Sequence, residues 1–294
     1  MTTVVGFDQF AENVAAAIGA GMVKVERRIF PDGEVCPRLL GDVSGDIILV
    51  NRMSLPLDPN GYLAETLLLL RMLAPGAARI DVVMPYFVYG RQDRVFREGE
   101  PFSAKSVLEL LQLAGAARVF VVSSHAEREH ERLSFSPVPA YNVNGFTAIG
   151  RHLKAMNLEK PLVIGPDRGA QGFVETVASI VGCETALFEK KRNLETGEIV
   201  MHHSLNLRGR DVVIVDDIVG SGGTMLKAIE LCAGARHVYA AVVHLVSDMR
   251  VRELQSRTAQ FLVCNTIAHP QYASLAKVGV EQLVAETIQN AGGR

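Results

Sequence analysis

The sequence predicts an α/β protein of two tandem domains, each a mainly parallel sheet covered by helices. Three observations carry that reading. Short apolar, β-rich runs recur at Asp46 to Val50, Ile80 to Met84, Val119 to Val122, Leu162 to Gly165, Val212 to Val215, Val238 to Val243 and Phe261 to Cys264. Stretches with helical spacing separate many of them, at Ala64 to Ala74, Ala104 to Ala114 and Met225 to Ala233. Continuous apolar strands that alternate with helices belong to parallel sheets buried on both faces. A third signal is a helix-to-strand junction repeated at Ala74 to Ile80, Ala114 to Val119 and Ala233 to Val238. Each copy carries a Gly suited to a left-handed helix C-cap and an Arg that can offset the negative helix end.

Two copies of the junction fall in the first half and one in the second, so the halves are expected to be similar. The break is expected near Ser136 to Asn144, where Pro137, Pro139, Asn142 and Asn144 cluster. That sets domains at 1–141 and 142–294, with the last helix able to pack back on the first domain. A chain of 294 residues with 48% hydrophobic and 21% charged content can bury two such cores. With 30 Lys plus Arg against 32 Asp plus Glu, it lacks the basic field of a nucleic-acid binder, so anions must be caught locally. Cys36, Cys183, Cys232 and Cys264 form no Cys-x-x-Cys pair and are expected to be buried, reduced thiols. The first residues lack a secretory layout, and no apolar run approaches the roughly 20 residues needed to span a bilayer. A soluble cytoplasmic protein is expected, without a membrane partner.

The most informative segment is Val212-Val213-Ile214-Val215-Asp216-Asp217-Ile218-Val219-Gly220-Ser221-Gly222-Gly223-Thr224, followed by the helical pattern from Met225. A buried strand is expected to end in two carboxylates, and a Gly-rich loop then opens a helix. Glycines let the backbone wrap an anion, and the free N–H groups at a helix start favour a phosphate. Ser221 and Thr224 add hydroxyl donors, while Asp216 and Asp217 can accept from a ribose diol or hold magnesium. Standing alone, such a segment also makes an ordinary strand-to-helix turn capped by Asp217 or Ser221. It is neither a Walker A loop, having no Gly-Lys-Ser/Thr ending, nor a dinucleotide fingerprint, since Met225 replaces the last glycine.

In the first half, Pro85-Tyr86-Phe87-Val88-Tyr89-Gly90-Arg91-Gln92-Asp93-Arg94 follows a strand at the carboxyl edge, where open parallel sheets bind ligands. Arg91 can fork onto phosphate oxygens and Gln92 can hydrogen-bond a nucleotide. A surface loop with ion-paired arginines is the plainer alternative. His202 and His203 lack acidic or Cys partners at ligand spacing and are not read as metal ligands, and His244, at the end of the strand Val238 to Val243, is read as a packed, hydrogen-bonded histidine.

These residues carry a resemblance. The Asp216 to Thr224 segment resembles the phosphoribosyl diphosphate motif of the type I phosphoribosyltransferase fold. The Tyr86 to Asp93 segment closely resembles the Tyr-Phe-x-Tyr-x-Arg-Gln-Asp signature of ribose-phosphate diphosphokinases, and the likeness extends through Pro101 to Lys105. Phe30-Pro31-Asp32-Gly33-Glu34 is similar to that family's Phe-x-Asp-Gly-Glu element. Val121 to Ala126 takes the place of its strand-end His-Ala, and Gly165 to Gly169 that of its Pro-Asp turn. Lys190-Lys191-Arg192 matches its Lys-x-Arg. The motifs keep the family's order from Phe30 to Thr266. Ser123 stands where members often carry aspartate, and Gly220-Ser221 where many carry Asp or Ser and then Thr. The short form, with Arg-Glu-Gly-Glu at Arg97 to Glu100, is more similar to archaeal-type members.

The resemblance implies two phosphoribosyltransferase-like domains and transfer of diphosphate from ATP to ribose 5-phosphate. It implies Lys190 and Arg192 as catalytic cations on a loop that closes, and ATP on Phe30, Asp32, Gly33, Glu34, Arg91, Gln92, Asp93 and His125. The Phe30 to Glu34 element would reach over from a neighbouring subunit of a homodimer or larger homo-oligomer. Ribose 5-phosphate would sit on Arg192, Asp216, Asp217 and Gly220 to Thr224, and magnesium on His125 and Asp167. Two rivals remain: a phosphoribosyltransferase, which leaves Pro85 to Arg94 unexplained, and a silent paralogue that regulates a true synthase.

Overall fold

A computed structural model of the chain describes residues 2–125, 131–192, 199–202, 205–272 and 274–292, with the backbone alone for 190–192 and 199–202. It divides into two compact units, 1–144 with 266–268 and 280–294, and 145–265 with 269–279.

In chain order the first unit is β1 (Thr2–Gly6), α1 (Gln9–Ile18), β2 (Gly21–Ile29), β3 (Val35–Leu39), β4 (Gly45–Val50), α2 (Pro59–Leu73), β5 (Ala77–Met84), α3 (Ser103–Ala114), β6 (Arg118–Val122) and β7 (Ala140–Val143). Its sheet has seven strands in the order β3-β2-β1-β4-β5-β6-β7; only the β2–β3 edge pair is antiparallel. Asp8 caps α1 by accepting the Ala11 N–H, and Asp58 caps α2 by accepting the Gly61 N–H at 2.9 Å, with Pro59 in the first helical turn. The core of Leu49, Leu69, Leu70, Val82, Leu108, Leu111, Val119 and Val121 is sealed from solvent. Each such side chain contributes about 1.5–3 kcal/mol on burial.

The second unit runs α4 (Gly145–Lys154), β8 (Leu162–Gly165), α5 (Gln171–Val181), β9 (Glu184–Leu187), β10 (Glu189–Arg192), β11 (Ile199–His202), β12 (Asp211–Val219), α6 (Gly223–Leu231), β13 (His237–Leu245), α7 (Val251–Ser256), β14 (Gln260–Cys264) and β15 (Ala276–Val278). Six of its strands form an all-parallel sheet ordered β15-β14-β13-β12-β8-β9. Strands β10 and β11 pair separately as an antiparallel ribbon. The last helix, α8 (Glu281–Gly292), belongs to the first unit and packs on α1, where Asn13 donates to Glu281 at 2.9 Å.

Two expectations are corrected. Of the three junction glycines, only Gly115 is left-handed, at φ +117°, closing α3; Gly76 lies in a short 3-10 turn, and α6 ends at Cys232 before Gly234 is reached. The junction arginines instead clamp neighbouring strands. Arg79 meets Asp46 at 3.1 Å, Arg118 forks onto buried Asp81 at 2.9 and 2.5 Å, and Arg236 meets buried Asp211 at 3.1 Å. Of the four cysteines, all free, Cys232 and Cys264 are buried but Cys183 is half-buried and Cys36 exposed, because β3 is the sheet's edge.

Candidate active site

The parallel strands of the first unit put three loops on one carboxyl edge. The hairpin Phe30 to Glu34 follows β2, the Pro85 to Phe102 loop follows β5, and Ser123 to His125 follows β6. In the hairpin, Phe30 N–H donates to the Glu34 carbonyl at 2.8 Å and Gly33 N–H to the Phe30 carbonyl at 2.9 Å. Gly33 adopts φ +94°, which only glycine takes without strain. Asp32 Oδ1 accepts the Glu34 N–H at 3.1 Å, and the Arg28 guanidinium lies 4.2 Å from the Phe30 ring centre. Asp32, Gly33 and Glu34 are exposed.

A buried polar network anchors the base of this hairpin. Arg27 forks onto Glu65 with two 2.6 Å contacts, and Glu65 is 2% exposed. Asn51 Nδ2 reaches Glu65 at 3.4 Å, and the Tyr62 hydroxyl donates to the Asn51 carbonyl at 2.7 Å. A pocket of ≈ 130 Å³ opens beside the pair, walled by Ile29, Val35 and Tyr62.

In the loop after β5, Tyr89 takes φ +61° and its hydroxyl bonds Asn60, turning the chain so that Arg91 is exposed while Gln92 and Asp93 are half-buried. Gln92 is held by its backbone, donating to Tyr89 at 3.0 Å and accepting from Ala104 at 3.1 Å. Its Nε2 donates to the Arg94 carbonyl and the Glu100 carboxylate. Asp93 lies 3.8 Å from Arg94. After β6, Ser123 sits at φ +39° and donates to Val143, and Ser124 N–H donates to Asn142 Oδ1 at 2.8 Å; half-buried His125 follows.

In the second unit the carboxyl edge holds Asp167 after β8, the ribbon after β9, and the Gly-rich loop after β12. Here the expected strand end is corrected: β12 continues through Val219, paired with β13 from Asp211 to Val219, so Asp216 and Asp217 lie within the strand. Asp217 is buried. Burial, then the negative charge of Asp217, pushes the Asp216 carboxyl up to about 8, and Asp167 adds to the effect. Asp167 Oδ1 also accepts the Gly169 N–H at 2.9 Å.

Gly222, at φ +78°, is the residue that opens α6, without a side-chain cap from Asp217 or Ser221. Ser221 and Thr224 are exposed, and a Cβ placed on Gly220 would meet no atom within 4 Å. Lys190 and Arg192 fall on β10, opposite Met201 and Ile199, but their side chains and residues 193–198 lie outside the described residues. Among the described residues no three metal-ligating side chains gather.

Residues 3–115 match the N-terminal domain of ribose phosphate pyrophosphokinase, and 141–276 a phosphoribosyl transferase domain. The ribose-phosphate pyrophosphokinase of Methanopyrus kandleri is 35% identical over 292 residues, covering 97% of both chains. This chain belongs to the ribose-phosphate pyrophosphokinase family. The Saccharolobus solfataricus enzyme of the same name is 34% identical over 257 residues, covering 84% of this chain and 86% of its own. The solved phosphoribosylpyrophosphate synthetase of Mycobacterium smegmatis superposes with a TM-score of 0.80 at 28% identity, covering 99% of each chain.

Within this ribose-phosphate pyrophosphokinase fold, sequence reasoning missed the residues that hold the site in shape. Glu100 was read only as part of a short-form marker, and Arg27, Asn51, Tyr62 and Glu65 were not singled out. Their partners lie 38, 14, 11 or 8 positions away, spacings that leave no local pattern.

Proposed function

We propose that the chain transfers the terminal diphosphate of ATP to the anomeric hydroxyl of ribose 5-phosphate, giving AMP and 5-phosphoribosyl 1-diphosphate. The observation that carries this is the match of both halves, in order, to a family whose members bear that activity in their name. The phosphoribosyltransferase reading accounts for the second unit and leaves the Arg91 loop and the Phe30 hairpin without a task.

In this reading the first unit binds ATP. Arg91 forks onto phosphate oxygens and Gln92 meets the nucleotide, with Asp93 and His125 on the same edge. The hairpin of Phe30, Asp32, Gly33 and Glu34 serves a neighbouring copy in a homo-oligomer. Supporting this, β2 stands three strands from β5, about 14 Å at the usual strand spacing, and the hairpin's charged tip is exposed. The second unit binds ribose 5-phosphate, its phosphate on Gly220 to Thr224 and its hydroxyls on Asp216 and Asp217, with Arg192 assisting.

The sugar's anomeric oxygen attacks the β-phosphorus, the bond from that phosphorus to the bridging α–β oxygen breaks, the hydroxyl proton passes to solvent, and AMP departs carrying that oxygen. Lys190 and Arg192 neutralise the charge that spreads over the transferring oxygens. The carboxylate-rich edge of the second unit suits a hard divalent cation such as magnesium, with Asp167 as ligand; His125 is the less usual candidate. Bound magnesium would supply charge neutralisation of the polyphosphate. The expected place of work is the cytoplasm.

The test is to incubate the chain with ATP, magnesium and ribose 5-phosphate and measure AMP. AMP that forms only when the sugar phosphate is present supports the proposal. AMP formed without it, or none at all, defeats it.

A further inference from the structure

The Gln92 amide is held by acceptors alone. Its Nε2 donates to the Arg94 carbonyl at 3.3 Å and to Glu100 Oε2 at 3.2 Å. A primary amide has two N–H bonds, so both are spent, and Oε1 is the atom left to face a ligand. An ionised carboxylate only accepts. Turning the amide over would set Oε1 against two oxygens, so Glu100 forbids the flipped form. The carboxylate is itself fastened, because Glu100 Oε2 also accepts the Arg97 N–H at 3.2 Å. Amide and carboxylate therefore belong to one closed loop, tied to α3 through Ala104 N–H and the Gln92 carbonyl.

We propose that Glu100 is a positioning residue that sets the polarity of the nucleotide site. It presents Gln92 Oε1 as an acceptor, which takes the 6-amino group of adenine and rejects the 6-oxo group of guanine. The proposal rests on the reading of Gln92 as a nucleotide contact and deepens it by naming the group that is read. A site with a fixed acceptor rejects a ligand that offers another acceptor there, because two lone pairs are then opposed without a proton between them.

The experiment is calorimetric binding of ATP and of GTP to the full chain, read as a ratio of dissociation constants. Wild-type protein is expected to favour ATP. Glu100→Gln can donate as well as accept, so only the long 3.3 Å contact with the Arg94 carbonyl still opposes a turn of the Gln92 amide, and the preference falls about tenfold with the melting temperature unchanged. Glu100→Ala, which leaves Arg94 as the sole anchor, lowers the preference in the same direction and guards against an idiosyncrasy of the first variant. Equal binding of ATP and GTP by wild type, or a preference unchanged in both variants, overturns the proposal. So does equal weakening of both nucleotides, since Glu100 would then merely stiffen the loop. Wild type that prefers ATP in binding but forms no AMP would count against the proposed reaction and not against Glu100.

Discussion

Three glycines of the loop, Gly220, Gly222 and Gly223, should respond differently to alanine, and the contrast follows from the backbone. At Gly223, the first residue of α6, a Cβ would meet only Ser221 Oγ, at 3.8 Å, an ordinary contact. Gly to Ala at a compatible position stabilises by about 0.4–1 kcal/mol through the unfolded chain. The melting temperature of Gly223→Ala should therefore hold or rise by about 1–3 °C. The same methyl would stand in the open mouth of the loop, where the sugar phosphate is proposed to sit. Loss of one charge-assisted hydrogen bond, about 1.5 kcal/mol, would weaken ribose 5-phosphate roughly tenfold. Gly220→Ala, with no atom near its Cβ, should behave alike. Gly222→Ala should instead destabilise by about 1–2 kcal/mol, because Gly222 is left-handed at φ +78° and its Cβ would crowd that of Arg250 at 3.3 Å. Thermal unfolding and calorimetric titration with ribose 5-phosphate read both effects. Undiminished affinity in Gly223→Ala and Gly220→Ala would refute the placement of the phosphate on this loop.

Other consequences are equally specific. Lys190→Ala should cut turnover roughly hundredfold or more without shifting the melting temperature; near-normal turnover would remove Lys190 from the mechanism. Asp216 holds its proton to about pH 8 in the folded chain but releases it near pH 4 when unfolded. Between those values the folded state binds more protons, so stability falls as pH rises, by at most about 1.4 kcal/mol per unit. Asp216→Asn removes that slope, so in chelator its stability gain over wild type should grow from pH 4 to pH 8; a constant difference would contradict the carboxylate crowding. Glu65→Ala strands the partly exposed Arg27 and should cost about 2–4 kcal/mol in denaturant unfolding, whereas a cost below about 0.5 kcal/mol would show the pair to be inert.

Legibility in the sequence followed burial. Strand β8 is read with its observed ends because Leu162 to Gly165 is buried on both faces and flanked by prolines. The sequence ends strand β12 at Val215, since two aspartates look like a strand end; hydrogen bonding to β13 carries the strand past them. The β2–β3 hairpin is not legible in the sequence because Arg27, Arg28 and Arg38 interrupt its apolar alternation, and the partner that draws Arg27 inward, Glu65, lies 38 positions away. Sequence spacing points the junction arginines at helix ends because it shows the helix just passed but not Asp81, the carboxylate on the strand adjacent to Arg118. For the proposed site, motif chemistry points to Gln92 and the Gly-rich loop, whereas the contacts of Glu100 and Glu65 are made only after folding. Lys190 and Arg192 were legible only through resemblance.

The most direct test of the account follows the phosphorus. ATP labelled at its β-phosphorus, supplied with magnesium and ribose 5-phosphate, should place the label on the sugar, next to C1, with AMP as the sole nucleotide product. Label retained in ADP, with a single phosphate on the sugar, would contradict diphosphate transfer and with it the assignment of both carboxyl edges.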